Sequence, residues 1–180
     1  MNMLVGDNIA CKMDGQPILH NISLFIKRGE CVGLIGPNGS GKSTLLRTLS
    51  GLISPSSGTI SVAGKAIQSY KRKELAKLIS YVPQNTAIDY DFSVREIVLM
   101  GRYPHLSRSY SEASYDREMA KLAMEQTGTL HLADRPATQL SGGQRQLVLI
   151  AKALAQEPNC CCLMNQSQHW MSVISCMYWN

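Results

Sequence analysis

The stretch Gly36-Pro-Asn-Gly-Ser-Gly-Lys-Ser-Thr44 carries glycines, a lysine and three hydroxyls and matches the spacing G-x-x-x-x-G-K-[ST]. In that spacing Gly36, Gly39 and Gly41, with Asn38 and Ser40 between them, let backbone N–H groups point inward around a β-phosphate. A helix N-terminus behind the loop adds positive potential. Lys42 can reach the β- and γ-phosphates as a point charge, and the Ser43 hydroxyl, followed by Thr44, can ligate Mg²⁺. The bare pattern arises by chance in roughly one chain in 200 of this length, so it is read as a nucleoside triphosphate site rather than a plain glycine-rich turn. The elements needed to position it flank it. Cys31–Ile35 is a short apolar run consistent with a buried strand, and Leu45, Leu46 and Leu49 recur at helical spacing before Gly51.

A second constellation lies at Leu140-Ser-Gly-Gly-Gln144. Ser141 and Gln144 form an S-x-x-Q capping box ahead of Leu147, Ile150, Ala151 and Leu154, which mark one face of a helix. A serine and two glycines, Gly142 and Gly143, thus stand at a helix start, where an anion would be favoured. Ser93-Val-Arg-Glu96 is another capping box, and Glu112–Gln126 reads as a helix ended by Gly128.

Together these motifs resemble the ATP-binding-cassette ATPases. Gly36–Ser43 matches the Walker A motif, Leu140–Gln144 the family signature and Tyr81-Val-Pro-Gln84 the Q-loop; the resemblance runs from about Leu4 to Pro158. It implies an α/β fold: a P-loop core with an N-terminal antiparallel β part and a helical subdomain at about 86–145, incomplete at the C-terminus, with 159–180 as an aberrant tail. It also implies ATP and Mg²⁺ as cofactors. Two such domains, a homodimer or a paired cassette domain, would sandwich the nucleotide. Lys42 and Ser43 of one would face Ser141, Gly142, Gly143 and Gln144 of the other, with Gln84 near the metal and the attacking water. Gly101-Arg-Tyr-Pro-His105 resembles the importer branch for iron-siderophores, haem and vitamin B12. In that branch the ATPase docks on membrane permease subunits, which would place this chain in the cytoplasm on the inner face of a bacterial membrane. One departure is Met13, standing where the family usually has an aromatic residue to stack on adenine.

The larger departure follows Pro158. All 31 Asp, Glu, Lys and Arg residues precede Asn159, and none occurs in 159–180. The family pattern calls for an apolar strand ending in Asp-Glu, and those places hold Met164 and Asn165. Neither can hold a Mg²⁺ shell or act as a base toward water, so no intact catalytic pair is expected. The tail has a hidden reading. Three cysteine codons read two bases in give leucine twice, Met164-Asn165 forces Glu, and Trp170-Met171 forces Asp. The shifted frame can read Leu-Leu-Phe-Asp-Glu-Pro-Val-Thr-Ala-Leu-Asp, which resembles Walker B and the D-loop. A frameshifted, truncated product is therefore expected; the other reading is a naturally short protein whose tail is a small apolar strand.

Composition sets outer limits. A chain of 180 residues with 44% apolar content can bury a real core. No apolar run is long enough for a membrane span, and no signal peptide is readable. The net charge of +5 is scattered, so no nucleic-acid groove is expected. The six cysteines show no metal-ligand spacing, which favours a reduced chain, and the four histidines are far apart. Three functions remain: a transport ATPase, a non-catalytic nucleotide-binding remnant, and a cassette ATPase of repair or translation. The last is disfavoured by a single P-loop and too little chain for a long insertion.

Overall fold

The computed structural model describes residues 2–84, 91–106, 114–164 and 171–175. The chain divides into two compact units, Met1–Gln84 with Asn159–Asn180, and Asn85–Pro158.

The first unit holds two sheets. Strands β1 (Asn2–Met13) and β2 (Gln16–Lys27) form an antiparallel hairpin. Its turn, Asp14-Gly15, has φ of +50° and +79°, the two positive values that give a hairpin turn the twist of its strands. After β3 (Cys31–Ile35) and helix α1 (Lys42–Leu49), β4 (Ser57–Val62) pairs with β1, and β5 (Lys65–Ala66) pairs with β4. The first sheet therefore runs β2-β1-β4-β5. A short helix α2 (Arg72–Ala76) leads to β6 (Ile79–Val82), and the chain re-enters this unit as β7 (Cys160–Met164) and β8 (Met171–Ser175). The second sheet runs β3-β8-β7-β6, with β6 and β7 parallel and the other pairs antiparallel.

One core joins these parts. Leu4, Ile9, Ile26, Ile60 and Val62 of the first sheet, Leu46 and Leu49 of α1, and Cys160, Cys162, Met164 and Ile174 of the second sheet are all buried in a single cluster. Each aliphatic side chain so enclosed contributes roughly 1.5–3 kcal/mol by transfer from water. The cysteine run suits β7, because a strand covered on both faces needs consecutive small or apolar side chains rather than alternation. The uncharged tail is thus a core strand at Cys160–Met164. Strand β3 departs from expectation: it is a strand, but at the edge of its sheet, with Cys31 exposed and Ile35 76% exposed.

The second unit is helical: α3 (Val94–Leu99), α4 (Ser114–Gln126) and α5 (Gly142–Ala155). The Ser93–Glu96 capping box forms as read from sequence, with Ser93 Oγ accepting from the Glu96 N–H at 3.3 Å. Val94, Ile97, Val98, Ala120, Ala123, Met124, Val148, Ala151 and Leu154 are buried here. Gly101 lies against α5 so closely that an added Cβ would overlap the Lys152 carbonyl, which makes glycine a packing requirement at that place.

Candidate functional site

The glycine loop spans the gap between the C-terminal end of β3 and the first turn of α1. Gly41, the residue before the helix, has φ +86°, a left-handed conformation open to glycine; a Cβ there would come within 2.9 Å of Leu19 Cδ2 and 3.2 Å of the Ile18 carbonyl. At Gly36 a Cβ would meet Ser40 Oγ at 3.0 Å, narrowing the loop from the other side. No side chain caps α1, and no acidic residue stands in its first turn, so its leading N–H groups and their dipole are left for an anion. The Ser40 N–H donates to the Pro37 carbonyl at 3.2 Å and holds the loop's curl.

Lys42 folds back over this loop. Its Nζ donates to the Gly36 carbonyl at 2.6 Å and to the Pro37 carbonyl at 2.8 Å, so the ammonium sits at the loop's rim. A cleft of about 300 Å³ opens beside it, lined in part by Ile22, Leu34, Pro37, Ser40, Gly41 and Lys42. Asn38, Gly39, Ser40 and Ser43 are exposed, and Thr44 is half-buried. The Thr44 hydroxyl lies 3.9 Å from the sulfur of Met13, which is 40% exposed at the end of β1. These residues fit a triphosphate: small enough at the glycines for close backbone approach, cationic at Lys42, and bearing a hydroxyl at Ser43 for Mg²⁺.

Tyr81 and Val82 of the Tyr81-Val-Pro-Gln84 stretch lie on β6, and Gln84 is exposed just beyond it. Beside it, β7 places Tyr81 opposite Cys162 and Val82 opposite Leu163. Met164 is 7% exposed, and its sulfur accepts a hydrogen bond from the Tyr81 hydroxyl at 3.0 Å. Burial pushes the Tyr81 phenol above its usual value, so the group is a neutral donor. Nothing in this pair can hold a cation or take a proton from water. Asn165 lies outside the described residues, as do His169, Trp170, Cys176 and Trp179.

In the helical unit, Ser141 caps α5. Its Oγ accepts from the Gln144 N–H at 3.2 Å, and Gln144 Oε1 accepts from the Ser141 N–H at 3.0 Å. Ser141, Gly142 and Gly143 are exposed, with open space where each glycine's Cβ would lie. Arg145, next to the capping box, is half-buried, and its Nε is shielded without a hydrogen bond among the described residues. Sequence reasoning missed Arg102, a fully buried cation, because its partners are 14 to 55 residues away.

A family model described as ABC transporter matches residues 19–163. The chain belongs to the ABC transporter ATPase family. It is 44% identical over 154 residues to the hemin import ATP-binding protein HmuV of Gloeobacter violaceus, covering 86% of this chain and 55% of the relative. It is 39% identical over 170 residues to the ferric enterobactin transport ATP-binding protein FepC of Escherichia coli, covering 94% of this chain and 62% of the relative. It is 43% identical over 145 residues to the cobalamin import ATP-binding protein BtuD of Halobacterium salinarum, covering 81% and 36%. The chain thus spans about half the length of these curated relatives. Among solved structures it is similar to a nucleotide-free ATP-binding cassette from an ABC transporter, with TM-score 0.71 and 28% identity over 88% of this chain and 67% of the other. It is also similar to cbiO1 from Clostridium perfringens, part of an ABC transporter complex, with TM-score 0.70 and 32% identity over 88% of this chain and 63% of that one. The α/β P-loop fold expected from the motifs is the fold of these neighbours.

Proposed function

We propose that this chain is the nucleotide-binding subunit of an ABC importer for a ferric siderophore, haem or a corrinoid, and that it binds Mg-ATP without turning it over. The observation that carries the second half is the contrast between two places in one unit. The phosphate cradle from Gly36 to Thr44 is complete, while the position expected to carry the metal-holding carboxylate is a methionine whose sulfur is bonded to Tyr81.

Mg²⁺, when bound, would neutralise charge on the phosphates, held by the Ser43 hydroxyl with Gln84 beside it. Lys42 would trade its two carbonyl partners for phosphate oxygens. The second face of the triphosphate would be met by Ser141, Gly142, Gly143 and Gln144 of a second copy or a paired cassette domain, whose exposed, capped helix start suits an anion. Without the Asp and Glu, water near the γ-phosphate has no base, which costs several kcal/mol of barrier, on the order of a thousandfold or more in rate.

The names of the relatives support import as the process, and the Gly101–His105 segment supports the iron-chelate, haem and corrinoid branch. A docking surface for permease subunits is supported by a groove of about 520 Å³ on the helical unit, lined by Phe92, Glu96, Leu99, Met100, Tyr103 and Leu106 among others. Phe92, Met100 and Tyr103 are exposed apolar side chains at 39%, 40% and 59%. No described helix is long and apolar enough to cross a membrane, and the proposed place of work is the inner face of a bacterial cytoplasmic membrane.

A second reading, a nucleotide-binding remnant of a frameshifted gene, is favoured by the hidden Asp-Glu frame under Leu163-Met164-Asn165. Two measurements decide. Titration of the full chain with a fluorescent Mg-ATP analogue should show saturable binding that Lys42→Ala abolishes, with phosphate release at background. Rapid lysine-dependent hydrolysis would overturn the non-catalytic reading, and absence of any nucleotide binding by folded chain would overturn both. Uptake in cells expressing this chain with an importer permease separates subunit from remnant.

A further inference from the structure

The helical unit contains a buried ion cluster that nucleotide binding leaves unused. Arg102 is 2% exposed. Its Nε donates to Asp116 Oδ1 at 2.9 Å, and its Nη1 donates to the Ala155 carbonyl at 2.7 Å and to Glu157 Oε2 at 2.6 Å. The Tyr115 ring stands 5.5 Å from the guanidinium carbon, and its hydroxyl donates to Glu157 Oε1 at 3.2 Å. On either side, Gly101 packs on the Lys152 carbonyl and His105 Nε2 bonds the Gln156 carbonyl at 2.9 Å. The segment Gly101–His105 is therefore fastened to the last turn of α5 and its cap at Lys152, Ala155, Gln156 and Glu157.

That placement suits the chemistry of a helix end. The final carbonyls of a helix have no partners within it, and the negative end of its dipole favours a cation. Arg102 supplies both needs at once. Glu157 holds its carboxylate there from a left-handed backbone, φ +50°, which a non-glycine residue adopts only when its surroundings require it.

The buried side chains of α5 are Val148, Ala151, Ala153, Leu154 and Ala155, none of them in its first six residues, whereas Gly142, Gly143 and Leu147 are exposed. The half that carries the signature thus projects from the half that is gripped. Over 14 residues the helix is about 21 Å long. A tilt of roughly 10° about the gripped end moves the other by about 4 Å, more than a hydrogen bond tolerates.

We propose that Arg102 is a positioning residue for the signature end: with Asp116 and Glu157 it fixes the axis of α5 and so where Ser141 and the Gly142 and Gly143 amides stand. The assignment rests on the proposed nucleotide sandwich. It is tested on the full chain with Arg102→Met, Arg102→Lys and Asp116→Asn, the last preserving shape and an acceptor so that folding is retained. Circular dichroism reports folding, analogue titration at high dilution reports Mg-ATP affinity, and sedimentation reports Mg-ATP-dependent self-association. Each folded variant should bind nucleotide within about twofold of the parent. Arg102→Met should associate at least tenfold more weakly, Asp116→Asn less severely, and Arg102→Lys should recover part of the loss. Variants that associate like the parent overturn the assignment alone, as does a parallel loss of affinity and association, which marks general damage. A parent that binds Mg-ATP and does not self-associate overturns the sandwich and the assignment together.

Discussion

The Tyr81 hydroxyl reaches across from β6 to donate to the sulfur of Met164 on the parallel strand β7, at 3.0 Å. The thioether is an acceptor only, buried at 7% exposure, and under the proposed function it stands where a metal-holding carboxylate is expected. Its contribution is to packing. Met164→Leu should therefore cost less than about 1.5 kcal/mol and Met164→Ala about 2–5 kcal/mol, with Tyr81→Phe near 1 kcal/mol. Denaturant titration followed by a core probe checks the order; equal losses for the leucine and alanine variants would contradict the packing role.

The loop's geometry depends on Gly41. Gly41→Ala forces a Cβ into a left-handed backbone and against Leu19, so it should destabilise the first unit by about 1–3 kcal/mol. Because the same strain displaces the loop, Mg-ATP affinity should fall at least tenfold. Thermal unfolding and nucleotide titration of one variant preparation measure both effects.

At the start of α5, Ser141→Ala removes the acceptor for the Gln144 N–H. A lost serine cap costs about 1 kcal/mol, so exchange of that amide should accelerate about fivefold while amides in the buried second half of the helix keep their protection. Hydrogen exchange resolved to single residues decides this.

How legible were these features in the sequence? The local ones were. Capping boxes at Ser93 and Ser141 and the helix from Lys42 to Leu49 form as spacing implies, because each is closed within a few residues. The edge position of β3 was not legible: the apolar run Cys31–Ile35 announces a strand, but which neighbours cover it depends on pairing with β8, some 140 residues on. Arg102 was named only within the Gly101–His105 segment, since nothing local signals that Asp116, Ala155 and Glu157 converge on it. The tail's departure in composition was plain, whereas its service as a core strand depends on parallel pairing with β6.

The thiols should separate by burial. Cys31 is exposed and Cys160, Cys161 and Cys162 are buried, so maleimide at neutral pH should label Cys31 before any β7 thiol and leave the β7 thiols intact until unfolding. Burial pushes the Cys161 thiol from 9.0 up to about 11. A raised folded-state value means that the stabilisation is present in full below pH 9 and is lost as pH climbs toward 11, on the order of 2–3 kcal/mol. Denaturation midpoints measured from pH 7 to 11 should fall over that window, and Cys161→Ala should flatten the fall.

The same-direction pairing of β6 and β7 delivers their final residues, Val82 and Met164, to one rim of the sheet. A scaffold built this way separates two kinds of information. Cys160, Cys161 and Cys162 are buried and carry the pairing with β6, so cohesion asks only for small apolar side chains, whereas any chemistry at the rim depends on the identity of the last residue of each strand. Strand cohesion here constrains size and polarity; the rim alone constrains reactivity.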